Sequence, residues 1–427
     1  MREYAYKMLK DKESIHNQLR SFYLSASNPK SVRGIEDLKD LIELYHHTVK
    51  AGLYDEAFNI YSIKLKNLLF HYLGAYLINI KLLKALFPDG EESPPRLQEK
   101  NNQGSALNSL ALCYMRVGQL RHAETLSELA LPFAQNEKNR ATGLCNLSII
   151  QLELGKLKAA EENLKLGINI RKNLKEINDE ANARISLSLL LAYRGDFSGA
   201  NKELEIAESG LDFDLRTKKR KHMVYAEIFL YRTFINLIAS KENFKYISLS
   251  LRTARKALQI AKLAVKEPTL IEAKLSLTSA LLATYFDQGS RKKEALEEAE
   301  KYLQEATVAS HNSNMLEKEP DILIAWSNLY LGKGDLHQAK IKAEDALFIA
   351  ERCELRLKRA EIHNFLAQLA VKSNDLSEAK KQSLIASKCA WCDGPPYQYK
   401  VAFEQAELIN DEIEETFHKL ERDIPTI

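Results

Sequence analysis

The chain has 427 residues, of which 28% are charged, and its formal net charge at pH 7 is +3. A charge balance this close to neutral argues against a protein that coats nucleic acid, which needs a strong basic excess. Glycine and proline number only 16 and 10, so little of the sequence is typical of linkers or disorder. Five cysteines without regular spacing argue against a secreted disulfide scaffold and favour a reducing, cytoplasmic compartment.

The N-terminal sequence MREYAYKMLKDKES lacks the apolar core of a signal peptide. The longest apolar stretch, Leu65 to Phe87, is interrupted by Lys66, Lys81 and Lys84. We therefore predict a buried helix there rather than a membrane span, and expect no membrane partner. The sequence PDGEESPPR, which follows it, predicts a turn-rich loop.

A short turn motif that ends in alanine recurs along the chain. Its copies are AGLYDEA, VGQLRHA, LGKLKAA, RGDFSGA, KGDLHQA and SNDLSEA, with a weaker copy in QGSRKKEA. The alanines are Ala57, Ala123, Ala160, Ala200, Ala339 and Ala379, and Ala295 in the weaker copy. Well-formed neighbouring copies are 37 to 40 residues apart, a period that predicts stacked supersecondary units.

Helical periodicity flanks each turn. Leu323 and Tyr330 precede Gly334 and lie seven residues apart, on one helix face. Ala339 and Ala343 follow it and give a small-residue face on which two helices can approach closely. The glycine ends the first helix in a left-handed conformation. Each unit is therefore predicted to be a helix-turn-helix hairpin, without strands.

One interval, from Ala200 to Ala295, is about twice the repeat length. A degenerate unit fits there, with Phe234 on its first helix, a turn at Asn243-Phe244, and Ile247 on its second helix. The array is thus predicted to be continuous through this region.

These units resemble the tetratricopeptide repeat (TPR) family over about residues 38–393. In the first well-formed unit the resemblance is carried by Leu107, Ala111, Tyr114, Gly118 and Ala123. It implies an all-α fold, a right-handed superhelix of stacked TPR-like helix-turn-helix repeats. It also implies that a protein or peptide binds in the concave groove.

A narrower resemblance extends over nearly the whole chain. Segments such as IELYHHTVKAGLYDEAF and AWCDGPPYQYKVAFEQAE are similar to the C-terminal TPR sensor region of bacterial and archaeal STAND-type signalling NTPases. SIHNQLRSFYLSA resembles the end of the winged-helix module that precedes those repeats. Because the chain has no G-x-x-x-x-G-K-[ST] motif, it lacks the ATPase engine of that class.

The predicted organisation is an N-terminal helical segment at 1–35, a repeat array at 36–393 and a C-terminal capping helix at 394–427. The chain is expected either to stand alone or to be one piece of a split or shortened NTPase.

The sequence KCAWCDGPPYQY contains a C-x-x-C pair, Cys389 and Cys392. A zinc site needs four ligands, and no second pair exists. A thioredoxin-like site needs a preceding strand, whereas a helix precedes these cysteines. We interpret the segment structurally: Trp391 packs the last repeat, Gly394 ends its helix, and two prolines lead into a capping helix over Tyr397–Leu420.

Two further motifs have structural interpretations. His46 and His47 are adjacent, so on a helix they point about 100° apart and cannot readily chelate one ion. The basic sequence RTKKRKH at 216–222 has no interleaved aromatics and is interpreted as a solvated loop. No nucleophile–base motif is found. We therefore predict no catalytic residues, no metal and no cofactor, and nucleic acid is not an expected partner.

The inner faces of the first helices are the candidate binding surface. By the repeat register they present Asn108, Arg116, Arg232, Asn236, Asn328, Asn364, Gln368 and Lys372. Asparagine and arginine can bond to a peptide backbone or to carboxylates. Arg232 with Asn236 resembles part of a chaperone-tail carboxylate clamp, but Leu281, Asp321 and Ala325 stand where further clamp residues are needed.

We therefore predict a non-enzymatic interaction or sensor module of a signalling or defence assembly. It would bind a protein or peptide in its groove, with a STAND-type ATPase or effector as the partner. The alternative hypotheses are a passive scaffold and a nucleic-acid-linked regulator that uses residues 216–222.

Overall fold

A computed structural model describes most of the chain. The described residues are 11–26, 32–211, 218–241, 243–264, 267–288, 293–313 and 318–422. Every regular element in these ranges is helical, without a strand. Within the same ranges, no helix is both long and apolar enough to cross a membrane.

The chain divides into two compact units. The first comprises Met1–Val117 and His122–Gly143, and the second comprises Gly118–Arg121 and Leu144–Ile427. The division predicted from the sequence, at residues 35/36 and 393/394, separates the repeats from the segments on either side of them. It does not concern these compact units, and it stays a prediction.

Six helices and the start of a seventh belong mainly to the first unit. They are α1 Lys12–Ala26, α2 Lys39–Lys50, α3 Tyr54–Ile60, α4 Tyr76–Lys84, α5 Lys100–Arg116, α6 Leu120–Ala130 and the beginning of α7 Glu137–Glu153. Helices α2 and α3 form a hairpin, and α1 packs on α2. The Tyr114 ring of α5 lies 4.5 Å from the His122 ring of α6.

The predicted single helix over Leu65–Phe87 is wrong. Helix α3 continues into π-helical stretches at Tyr61–Leu65 and Asn67–Tyr72, and the chain then turns before α4 begins. Gly74 adopts a left-handed φ of +62°, which ends the helical path. The sequence stays apolar through this turn, so hydropathy does not mark it.

The remainder of α7 and twelve further helices belong to the second unit. They are α8 Leu157–Asn173, α9 Ile177–Tyr193, α10 Phe197–Gly210, α11 Lys218–Ala239, α12 Lys245–Ala264, α13 Glu267–Gln288, α14 Lys293–Ser313, α15 Glu319–Gly332, α16 Leu336–Arg352, α17 Arg356–Lys372, α18 Leu376–Ala390 and α19 Lys400–Arg422. Consecutive helices from α8 to α18 pack on one another, and α19 packs on α18 and α17. Asn163 Nδ2 of α8 donates to Gln151 Oε1 of α7 at 2.8 Å. The predicted all-α fold of stacked TPR-like hairpins is confirmed.

The turn motif has the expected physical basis. All seven of its alanines are buried, because the second helix of each hairpin packs closely on the first at this point. Gly155 and Gly195 have φ values of +73° and +78°. A Cβ at these positions would lie 2.6 Å from Cδ of Arg356 and of Lys400 respectively. These glycines therefore supply both a left-handed turn and room for a neighbouring repeat.

The degenerate unit is formed as predicted by α11 and α12, with its turn at Asn243-Phe244. The Thr233 and Thr253 hydroxyls join the two helices at 2.9 Å. Residues 216–217 of the basic segment lie outside the described residues. Because α11 begins at Lys218, the remainder of that segment is helical rather than the predicted loop.

The last hairpin ends earlier than predicted. Helix α18 stops at Ala390, and Cys392 already has a left-handed φ of +49°, so Gly394 is not the residue that ends the helix. Gly394 instead lies in the following turn, where its N–H donates to the Trp391 carbonyl at 2.7 Å. The Tyr399 N–H then donates to the Ala390 carbonyl at 2.8 Å, which aligns the start of α19.

Candidate functional site

Side chains from four hairpins and from the segment before α19 converge within the second unit. We call this group the inner cluster. It consists of Tyr193 at the end of α9, Phe234 on α11, Asp321 on α15, Lys358 and Glu361 on α17, and Tyr399 before α19. All the contributing helices are the first helices of their hairpins, the set from which the sequence predicts the binding surface.

A lysine between two carboxylates forms the charged centre. Lys358 Nζ lies 2.8 Å from Asp321 Oδ1 and 2.8 Å from Glu361 Oε2. The Tyr399 hydroxyl donates to Glu361 Oε1 at 2.9 Å. The side chains of Lys358, Asp321 and Glu361 are 17%, 30% and 21% exposed, so the centre is shielded but accessible to solvent.

Electrostatics keep this centre ionised. Burial lowers the pKa of Lys358, but the adjacent carboxylates outweigh it and hold that pKa well above its usual value. Burial raises the pKa of Asp321, but the charges of Lys358 and Lys318 hold it below its usual value. At neutral pH the cluster therefore offers both a cation and anions to a ligand.

Aromatic rings line one side of the charged centre. The Tyr193 ring centroid lies 4.7 Å from that of Tyr399 and 5.3 Å from that of Phe234. Lys358 Nζ lies 6.0 Å from the Phe234 ring centroid. Burial raises the pKa of Tyr193, so its phenol remains a neutral donor.

Contacts distant in sequence hold the cluster together. The Lys158 N–H, in the first turn of α8, donates to Asp393 Oδ2 at 2.9 Å. Arg194 Nε donates to the Pro396 carbonyl at 2.8 Å, and its guanidinium lies 4.5 Å from the Tyr397 ring centroid. The segment between α18 and α19 therefore packs against the hairpins α7/α8 and α9/α10, near the other end of the second unit's sequence.

The structure separates the predicted binding residues into groups. Asn236 and Asn364 are only 4% and 2% exposed, and Asn364 Nδ2 donates to the Ala402 carbonyl at 2.8 Å. Both asparagines belong to the packed interior, so neither is accessible to a ligand in this structure. Gln368 and Lys372 are exposed on α17, and Lys372, fourteen residues after Lys358, shares its helix face.

Arg232 and Asn328 are partly exposed but engaged. Arg232 Nη2 lies 2.6 Å from Glu208 Oε2 on the neighbouring helix α10. Asn328 Nδ2 donates to the Ile324 carbonyl of its own helix at 2.9 Å. Asn108 and Arg116 lie on α5 in the first unit, so the inner cluster does not include them. A binding role for these four residues stays a prediction.

The residues of the inner cluster were not selected from the sequence. On α11 the repeat register places Arg232 inward, whereas the cluster contains Phe234, which lies two residues and about 200° away around the helix. The sequence places Phe234 only on the first helix of the degenerate unit. Asp321 was noted only as a departure from a carboxylate clamp, although a lysine at 358 in the next hairpin could have suggested its partner.

The cysteines are buried, and none forms a disulfide. Burial raises the pKa of Cys392 to about 11, which keeps its thiol protonated at neutral pH. In the part of the chain that the structure describes, no three His, Cys, Asp or Glu side chains are grouped so as to hold a metal ion.

No protein-family model matches the sequence, and no curated protein matches it. Solved structures show similarity of fold at low identity. A STAND protein with a tetratricopeptide repeat sensor from Pyrococcus horikoshii is 16% identical, with a TM-score of 0.41 over 96% of this chain. This chain spans 55% of the length of that protein.

Two further solved structures are similar over almost the whole chain. Human IFIT1, determined as a dimer with m7Gppp-AAAA, is 15% identical with a TM-score of 0.47, covering 98% of this chain and 89% of its own. A Rap protein complexed with competence and sporulation factor is 9% identical with a TM-score of 0.35, covering 96% and 98%. All three TM-scores are below 0.5, so the ligand is argued from the site alone.

Proposed function

We propose that the second unit binds a protein or peptide at its inner cluster. The observation that carries this proposal is the partly exposed lysine between two carboxylates, next to aromatic rings. The hairpins pack through alanine and leucine, and charges in so shielded a position are costly, so packing alone does not account for Lys358, Asp321 and Glu361.

The chemistry of the cluster suits an extended segment. A ligand carboxylate or carbonyl can approach Lys358, while ligand N–H groups can donate to Asp321 or Glu361. The partly exposed ring of Phe234 offers apolar area beside these polar groups. Each ligand hydrogen bond would contribute roughly 0.5–1.5 kcal/mol, more where both groups are charged.

In the wider role that we propose, the chain is a non-enzymatic sensor or interaction module of a signalling or defence assembly. The sequence resemblance to sensor repeats of STAND-type NTPases favours an ATPase or effector of that class as the partner. Because the sequence has no phosphate-loop motif, we expect no intrinsic ATP hydrolysis.

The test is to identify a partner by pull-down with the wild-type chain and then to titrate purified variants. Lys358→Met should weaken binding by about tenfold or more, since it removes the central cation. Lys340→Met is the matched control, because Lys340 has the same side chain and is exposed on α16, a second helix outside the predicted binding surface. Circular dichroism would verify that both variants keep the wild-type helix content.

The opposite pattern would refute the site, namely full affinity in Lys358→Met and a loss in Lys340→Met. Unchanged affinity in both variants would favour a scaffold that binds elsewhere. Binding that weakens steeply with salt and is lost in Lys218→Ala with Lys219→Ala would favour the nucleic-acid alternative.

A further inference from the structure

Lys241 lies in the turn that follows α11, seven residues after Phe234 of the inner cluster. Its Nζ donates to Gln405 Oε1 on α19 at 3.0 Å. The charges of Glu361 and Lys358 both act on the pKa of Lys241, so this lysine lies at the edge of the inner cluster. Because Lys241 is exposed, a ligand at the cluster can reach its amine.

Two other hairpins carry a basic residue at the position of their turn that is equivalent to Lys241. In the sequences RGDF, KGDL and KENF, Arg194, Lys333 and Lys241 each stand three residues before the apolar residue that follows the turn. Arg194 pairs with Glu161, and Lys333 Nζ lies 2.6 Å from Glu300 Oε1. Both carboxylates belong to the second helix of the preceding hairpin. Lys241, by contrast, has no ion pair with any residue that the structure describes.

The other charges next to Lys241 are matched at short distance. Lys358 Nζ is held by two carboxylates, and the second oxygen of one of them, Glu361, accepts the Tyr399 hydroxyl. Glu361 therefore attracts Lys241 from a distance without binding it. Gln405 accepts one of the three N–H groups of Lys241, but its amide carries no charge. An anion is thus the group that this edge of the inner cluster lacks.

The pKa of Lys241 agrees with this geometry. Desolvation lowers the pKa, and although the charge of Glu361 raises it, the pKa stays below the usual lysine value. The surrounding protein therefore stabilises the ammonium less well than water does. A side chain that is exposed and still desolvated lies in a concave space, with protein on several sides. A ligand that brings a negative charge into this space would supply the stabilisation that the ammonium lacks.

We propose that Lys241 determines the charge specificity of the inner cluster, and that the ligand is a segment with a carboxylate beside the groups that contact Lys358. This inference rests on the function proposed above, because it assigns the chemistry of the ligand bound at that site. The carboxylate accepts from Lys241 Nζ, while Gln405 keeps the amine at the cluster. An acidic side chain and a peptide C-terminus share this chemistry, and the experiment distinguishes them.

Immobilised peptides of random sequence, with acetylated and amidated ends, are the probe. The full chain is applied at about 150 mM salt, so that distant charges are screened. The wild type should select peptides enriched in aspartate and glutamate. Lys241→Glu should shift the selection to lysine and arginine, whereas Lys241→Gln should only remove the acidic preference. Lys256→Glu makes the same charge change at an exposed position of α12 and should select like the wild type.

A selected acidic peptide is then titrated in solution. Lys241→Gln should weaken its affinity by about tenfold, the effect of losing one charge-assisted hydrogen bond. Replacing the acidic residue of the peptide by its amide should weaken binding to the wild type by a similar factor, and binding to Lys241→Gln by less than about threefold. The same library with free C-termini identifies the source of the carboxylate. Binding restricted to that library, and lost in Lys241→Gln, would make the peptide terminus the bound group.

Lys358→Met separates this inference from the proposed function. If Lys358→Met loses the peptides while both Lys241 variants select like the wild type, the site stands and the role of Lys241 is overturned. If Lys358→Met keeps full affinity, the site is wrong and the inference fails with it. Selection of basic or neutral peptides by the wild type, selection of none from either library, or an equal shift in Lys256→Glu would also overturn the inference.

Discussion

The hairpin turns and the inner cluster are built on opposite principles. Each turn is assembled from residues close in sequence, and the same elements recur: a left-handed glycine or asparagine, then a buried alanine. The inner cluster occurs once, and its members lie far apart, from Tyr193 to Tyr399. The turns therefore report on the fold, whereas the cluster is specific to this chain and is the better guide to function.

Overpacking a turn alanine tests the first half of this comparison. Ala339 is fully buried between α15 and α16, so Ala339→Leu should destabilise the second unit by about 1–3 kcal/mol. Lys340→Leu is the control, because the neighbouring Lys340 is exposed and its replacement should change the free energy of unfolding by less than about 0.5 kcal/mol. Urea unfolding measures both. Equal midpoints for the two variants would show that the alanine is not a packing requirement.

Removing the lysine of the charged centre tests the second part of the comparison, the inner cluster. Lys358→Met leaves Asp321 and Glu361 without their cation, so unfolding should become easier by about 2 kcal/mol near neutral pH. Lys372→Met, the exposed control on α17, should have little effect on stability.

Lys358→Met should also change how the free energy of unfolding depends on pH. The pKa of Asp321 is lowered in the folded chain, so the stability that the ion pair contributes is present above the ordinary aspartate pKa of about 3.9 and is lost as the pH falls through the folded-state value. Urea unfolding should therefore show that, between about pH 7 and about pH 3.5, the free energy of unfolding decreases less in Lys358→Met than in the wild type. A loss of equal size in both would mean that Lys358 does not set the ionisation of Asp321.

Asp393 lies beyond the last hairpin but caps helix α8, because its carboxylate accepts the N–H of Lys158 in the first turn of that helix. This contact therefore connects a repeated hairpin to the segment that carries Tyr399 of the inner cluster. Asp393→Ala should cost about 1 kcal/mol, the usual contribution of an N-terminal helix cap. Exchange of the Lys158 amide should accelerate at the same time. Asp411→Ala, exposed on α19, serves as the control. An unchanged Lys158 amide in Asp393→Ala would contradict the capping role.

The smallest effect is expected at the five cysteines. Their buried thiols should behave as packing groups, like the turn alanines, and should not be reactive. Burial raises the pKa of Cys113 to about 12 and that of Cys392 to about 11. None of the five thiols should therefore react rapidly with Ellman's reagent in the folded chain, and all should react after denaturation. A fast thiol in the folded chain that is lost in Cys392→Ala would instead mark a reactive site.

The sequence by itself determined the hairpins, because helix periodicity, turn glycines and small-residue positions act over a few residues. It located the degenerate unit around Asn243 for the same reason. It also excluded a typical metal or redox role for Cys389 and Cys392 from ligand number and context, which remains a prediction.

Only the tertiary structure decided which face of each helix meets the rest of the second unit. On α11 the cluster contains Phe234 rather than Arg232, and local periodicity does not by itself decide which of these faces turns inward. The burial of Asn364 beneath Ala402 and the closeness of His16 to His47 likewise depend on contacts between helices distant in sequence. Such contacts depend on the packing angles of all the helices that lie between the two residues, and no short stretch of the sequence determines those angles.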